Sequence, residues 1–280
     1  MYENLDASLK SCELTRFREQ LIAGAQNSLR LIPAPDDDDL ITRSRIGGEP
    51  QVPNGFQWPL TSSGTPLSFL AQVDLADLEG TTLGGNFQGG GILSFFYDAD
   101  QQPWGFDPKD RDGWRLFHFK AQESLSPMAT PEDVEDYCQF PANPVRFQEE
   151  PTFPDLSQDG DAHGLSEDEF ERTFDFQAGV YGDEPMHRLM GYPQLVQGDW
   201  KLECQLASNG VYVGDPAGYE SPQAKQLSAG ADDWTLLLQL DSDESIGLMW
   251  GDMGRLYFCI NKNDLAKMDF SKVWVILQCS

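Results

Sequence analysis

The stretch R-I-G-G-E-P-Q-V-P-N-G, residues 45–55, is matched by R-L-M-G-Y-P-Q-L-V-Q-G, residues 188–198. Five of the eleven aligned positions are identical: Arg45/Arg188, Gly48/Gly191, Pro50/Pro193, Gln51/Gln194 and Gly55/Gly198. Average residue usage gives roughly one match or fewer in such a window. A repeat inside a chain governs the reading of its fold, because two similar units can bury one another's apolar faces. Two further segments follow each copy in the same order. P-L-S-F-L-A-Q-V-D-L (66–75) aligns with D-W-T-L-L-L-Q-L-D-S (233–242), sharing Leu70/Leu237, Gln72/Gln239 and Asp74/Asp241. G-I-L-S-F-F-Y-D (91–98) aligns with G-R-L-Y-F-C-I-N (254–261), sharing Gly91/Gly254, Leu93/Leu256 and Phe95/Phe258. From Arg to Gln is 27 residues in the first copy and 51 in the second, so the second carries 24 extra residues, placed within 201–232.

These segments are short, rich in Leu, Phe, Val and Tyr, and bounded by Gly, Pro or Asp, which is the pattern of strands and turns. Residues 272–279 read as a last strand, with 114–119 as the first-copy equivalent. The leucines and Phe17 between residues 8 and 31 recur at helical spacing, and Pro33 and Pro35 end that run. Asp36 to Asp39 read as a solvated loop. Residues 121–163 are rich in proline and read as a surface excursion with edge-strand pieces such as 144–147. Ser166 and Glu169 form a capping box that starts a helix, and a short helix is expected over 261–268. The expected fold is therefore α+β and β-rich, with mainly antiparallel sheets from an internal duplication, two structural repeats sharing a core, and an N-terminal helix. It is read as a single domain over 1–280. Within it, 1–39 are the N-terminal helix and acidic loop, 40–120 repeat 1, 121–186 the connecting excursion and 187–280 repeat 2.

Nineteen basic residues against 46 acidic ones give a net charge of −27. That disfavours nucleic acid and anionic membranes, both of which reward Lys and Arg. It favours solubility and permits a basic protein partner. The 40% hydrophobic and 11% aromatic content is enough for a packed core. Five scattered cysteines without a C-x-x-C argue against a disulfide framework or structural zinc and for a reducing compartment. No signal-like or membrane-length apolar run occurs, so the expected location is cytoplasmic.

S-R-I-G-G-E-P, P-N-G-F-Q-W-P, P-L-S-F-L-A-Q-V-D-L and P-W-G-F-D-P in the first half resemble the YwqG family. So do G-Y-P-Q, D-W-T-L-L-L-Q-L-D-S-D, M-W-G-D-M-G-R-L-Y-F and V-W-V-I-L-Q-C in the second. The resemblance runs from about residue 28 to 280. It implies a bacterial domain of unknown function, β-rich and built by duplication, without established catalytic residues. Some members are associated with toxin systems, which implies an immunity or accessory role.

The duplicated polar residues are the candidate ligand-binding set: Arg45, Arg188, Gln72, Gln239, Asp74 and Asp241. Alternate strand residues share a face, so each Gln-x-Asp pair points one way, and a pseudo-two-fold could bring both pairs and both arginines to one inter-repeat cleft. The competing reading makes the aspartates caps of strand-end amides and the arginines buried braces. Trp104 and Trp250, each beside Gly and Asp, could stack a sugar but read first as core. Residues 155–166 resemble a calcium loop, but position twelve is Ser166 rather than Glu. His118, His163 and His187 lack zinc spacing. No nucleophile elbow, P-loop or dinucleotide fingerprint occurs, so no catalytic residue, metal or cofactor is assigned. The expected role is non-enzymatic binding through an acidic surface or inter-repeat cleft, to a basic protein or a small polar ligand. A carboxylate hydrolase in that cleft is the alternative.

Overall fold

The structure, a computed structural model, describes residues 2–35, 37, 40, 42–158, 164–182 and 184–279. Most of the four-aspartate run, the middle of the calcium-like segment (159–163) and His163 lie outside the described residues. Twelve strands are named here in chain order. They are β1 (Gln26–Pro33), β2 (Arg45–Ile46), β3 (Gln51–Pro53), β4 (Ser68–Asp74), β5 (Ile92–Tyr97), β6 (Trp114–Phe119), β7 (Leu125–Pro127), β8 (Asn143–Thr152), β9 (Arg188–Leu189), β10 (Trp234–Asp241), β11 (Arg255–Asn261) and β12 (Trp274–Gln278). Among the described residues, ten of them form one antiparallel sheet in the order β12-β11-β10-β9-β1-β8-β2-β4-β5-β6, and β3 pairs with β7 beside it.

The sheet curls until its two ends nearly meet, giving a barrel-like shape. Phe95 of β5 and Phe258 of β11, seven places apart in strand order, touch edge to face at 5.1 Å. At the seam, the Trp114 and Trp274 rings meet at 5.0 Å, and their indole N–H groups donate to Val273 O and Gly105 O. Gly105 has φ +82°, and a Cβ there would lie 1.9 Å from Val275 O, so only glycine lets this segment lie against β12. Of the two tryptophans weighed for sugar stacking, Trp250 is fully buried and Trp104 is 39% exposed.

Two expectations are corrected. The helical run expected over 8–31 is two helices, α1 (Tyr2–Ser11) and α2 (Arg18–Ala23), followed by β1. The leucines up to Leu21 do follow a helical face, but Leu29 and Leu31 are spaced by two, and both are buried. The expected surface excursion at 121–163, with its edge-strand piece at 144–147, holds a longer inner strand, β8, which pairs with β1 along eight residues and with β2 on its other side. Its prolines misled the reading because Pro144 and Pro151 sit near the strand's ends. The interior, 145–150, keeps its amides for the ladder. The excess residues of the second half fold as α4 (Trp200–Ser208), α5 (Pro216–Glu220) and α6 (Pro222–Leu227). Cys204 and Leu206 of α4 and Ala224 of α6 join the main core. A last short helix, α7 (Lys262–Leu265), starts where expected, with Asn261 as its cap.

The helix expected from the capping box is α3, Glu167–Tyr181. Ser166 accepts from the Glu169 amide and Glu169 bonds the Ser166 amide, so the box forms as read. The Arg16 guanidinium forks onto both Glu169 oxygens at 2.8 Å and holds that carboxyl down at about 2. Phe176 and Val180 of α3 pack into a separate small core with Leu5, Leu9, Phe17 and Leu21. Each fully buried side chain of this kind stabilises the packing by ~1.5–3 kcal/mol. One face of α3 is thus fixed to the N-terminal helices, and its other face is left to line a cleft.

Candidate binding cleft

The cleft, about 630 Å³, lies between the outer face of α3, the loop 194–198 and the turn before β11. Phe170, Phe174 and Gln177 recur at i, i+4 and i+7, so they share one helix face. The two phenylalanines meet edge to face at 5.6 Å and stay 39% and 61% exposed. Met253, 57% exposed, stands on the turn before β11 and completes an apolar wall. The floor is polar. Asp241 at the end of β10 accepts from the Met186 amide at 2.9 Å, and Arg255 Nε lies 3.0 Å from the same oxygen. That N–H is not directed at the oxygen, so the contact is an ion pair rather than a hydrogen bond. Arg255 also donates to the Gln194 carbonyl at 3.2 Å. Gln194 is 9% exposed, and its side-chain oxygen is buried without a partner among the described residues. Such an orphaned acceptor is costly, by about 1–3 kcal/mol.

Sequence reasoning named six residues, and the structure does not bring them to one place. β4 and β10 are five strand steps apart, about 24 Å along the sheet. Gln72 and Gln239 are fully buried and do the same local work in each half. The Gln72 amide accepts from Gln51 N at 2.8 Å and donates to Arg43 O at 2.9 Å. The Gln239 amide accepts from Gln194 N at 2.8 Å and donates to Met186 O at 2.6 Å. Each glutamine clips the chain entering β2 or β9 to the loop leaving it. Asp74 caps Ala76 N and pairs with Arg43, away from any cavity that includes Asp241.

The arginines differ from one another. Arg188 is fully buried, bonded to Glu150 at 2.9 Å and to Tyr192 O at 2.9 Å, with its guanidinium 4.9 Å over the Tyr181 ring. Arg45 reaches only Arg43 O and Glu49 O at 3.4 Å, and partial burial lowers its pKa. Of the six residues, only Asp241 lines the cleft. Its neighbours Phe170, Phe174, Met253 and Arg255 were missed, because nothing local marks them. Their convergence depends on α3 docking across residues remote in sequence.

One strongly perturbed acid was also missed. Glu203 on α4 is 7% exposed, and burial raises its carboxyl to about 7. It lies 3.5 Å from the Gln278 amide, whose oxygen in turn accepts from Val196 N and Gln197 N. It stands behind the cleft loop and does not line the cleft. Among the described residues, no group of three or more His, Cys, Asp or Glu could hold a metal ion. None of their helices is long and apolar enough to cross a membrane.

A curled antiparallel sheet with helices packed outside it, and a cleft with an aromatic wall and a charged floor, defines a β-rich α+β domain with a preformed cavity. The family model described as Domain of unknown function (DUF1963) matches residues 44–279, so the chain belongs to that family. A search of curated proteins finds no match.

Proposed function

We propose that this is a binding protein whose cleft takes an extended segment of a basic protein partner. One observation carries the reading. Phe170, Phe174 and Met253 stand exposed together along a cleft that also presents Asp155, Glu184 and Asp241. Exposed aromatics beside a buried polar floor are the composition of protein recognition sites, where a few large side chains dominate affinity. Among the described residues, three carboxylates against the single basic group of Arg255 make the cleft acidic, in a chain of net charge −27. Basic side chains therefore gain attraction on approach and can stack on the phenylalanine faces.

The reading includes an internal duplication, for which the matched glutamine clips are the support. Gly47 and Met190 are further support. They occupy equivalent places at φ +70° and +60°, and their amides bond Leu70 O and Leu237 O. Among the described residues, the cleft is lined by the connecting stretch and by residues of the second copy, with no lining residue from 40–120, so it is not a cleft between the two copies. The YwqG likeness, a cytoplasmic location and a toxin-accessory role remain parts of this proposal, resting on sequence.

The test is fluorescence polarisation with labelled peptides alternating basic and apolar residues, at low and at 300 mM salt. Binding should weaken with salt, since exposed charges are screened beyond ~8–10 Å. It should be lost in Phe170→Ser/Phe174→Ser, a change of exposed side chains that leaves folding intact. No binding at low salt, or binding indifferent to the double substitution, overturns the proposal.

A further inference from the structure

We infer that the cleft selects by spacing: it takes an extended segment in which an apolar and a basic side chain stand four residues apart. Phe170, Phe174 and Met253 anchor the apolar side chain. Asp155 and Glu184, at the C-terminal end of α3, receive the basic one. The inference rests on the binding reading above and specifies the sequence that the cleft prefers.

The two ends of the cleft differ in chemistry, and both are open to solvent. Phe170, Phe174 and Met253 are exposed at one end. At the other, α3 stops at Tyr181 with Gly182 as its cap, and Glu184 follows, exposed. Asp155 reaches the same end, because the Tyr181 hydroxyl accepts from the Phe153 amide at 3.0 Å, two residues before it. Both carboxylates line the cleft, and neither forms an ion pair among the described residues. The aligned peptides of a helix put partial negative charge at its C-terminus. The last turn of α3 carries no basic side chain to offset it. Arg255 lies 3.0 Å from Asp241, so those two charges offset one another and the charges of Asp155 and Glu184 remain. A cation is therefore attracted to this end by two carboxylates and a helix terminus together.

The length of α3 between the ends sets the spacing. From Phe174 to Gly182 is eight residues, about 12 Å along the helix axis. An extended chain advances about 3.3 Å per residue and returns its side chains to one face every second residue. Four residues therefore cover about 13 Å with both side chains on the same face. Two residues cover about half of that, and six overrun the helix end at about 20 Å. Three or five turn one of the two side chains away from the cleft.

The test uses capped, fluorescein-labelled serine nonapeptides carrying one phenylalanine and one lysine two, three, four, five or six residues apart, in both orders, read by polarisation at low salt. The four-residue spacing should bind about fivefold tighter than the others in at least one order, the scale of a few exposed charge contacts. Replacing its lysine by norleucine keeps the stem, removes the charge and should lose that gain. The variant Asp155→Asn/Glu184→Gln should lose it too. Both substitutions leave the fold in place, since Glu184 is exposed and asparagine keeps an oxygen for Ser157 N. Equal binding at every spacing, a different preferred spacing, or a four-residue preference untouched by norleucine or by the variant overturns the inference. If such binding is still lost in Phe170→Ser/Phe174→Ser, the cleft reading stands without the spacing. No binding of any peptide overturns both.

Discussion

Replacing Arg188 by Met is expected to destabilise the protein by about 3–5 kcal/mol, the cost of leaving one partner of a buried pair charged and alone. The environment supports the upper class of effect. Arg188 is fully buried and Glu150 is 4% exposed, so no water can solvate the orphaned carboxylate in place. Methionine fills the volume of the arginine stem, which separates the charge from a packing defect. At about 2–4 °C per kcal/mol for a chain of this size, the melting temperature should fall by roughly 6–20 °C. Arg45→Met is the internal control. Arg45 is partly exposed and makes only two long bonds to carbonyl oxygens, so its loss should stay within about 1 kcal/mol. The combined variant Arg188→Met/Glu150→Met removes both charges and should regain most of the loss, because a buried pair is worth little against apolar residues of similar size. Urea unfolding monitored by tryptophan fluorescence measures all four proteins. Equal effects of Arg188→Met and Arg45→Met, or no recovery in the double variant, refute the reasoning.

Gln239→Leu leaves Gln194 N and Met186 O without their partner, and should cost about 2–4 kcal/mol from two unpaired buried backbone groups, read by denaturant midpoint. Gln72→Leu should act in the same direction, and a neutral result at both positions would contradict the clip. Glu203 titrates near 7 when folded, above its ordinary carboxylate value. Its stabilising share is therefore full below about pH 4.5 and is lost as pH rises through about 7. Glu203→Gln should flatten that dependence and leave the variant more stable than the parent at pH 8, by on the order of 3 kcal/mol, in thermal scans between pH 5 and 8. An unchanged pH profile would remove Glu203 as its source.

The β4 and β10 strands were legible because their Leu, Gln and Asp recur in order, and α3 was legible because Ser166 and Glu169 form a local box. β8 was not. Pro144, Pro151, Glu149 and Glu150 read as surface, and Glu150 is buried only because Arg188, 38 residues further along the chain, comes to neutralise it. β1 was misread for a related reason. A leucine run can satisfy a helix period or a strand period until neighbouring strands compete for its backbone.

Of the candidate site, Asp241 was legible and its companions were not. Phe170, Phe174 and Met253 are scattered apolar residues whose exposure follows from where α3 lands. The sequence alone determined which polar residues sit on the outer strand face, since side chains alternate by covalent geometry. Only the tertiary structure decided what those residues meet. Gln72 and Gln239 were closed off by backbone amides of loops folding over them, while Asp241 was left beside a cavity because α3, anchored to the N-terminal helices, stands clear of it. Local geometry sets the direction of a side chain. Contacts between segments far apart in the chain set whether that direction ends in a hydrogen bond, a core or an open cleft.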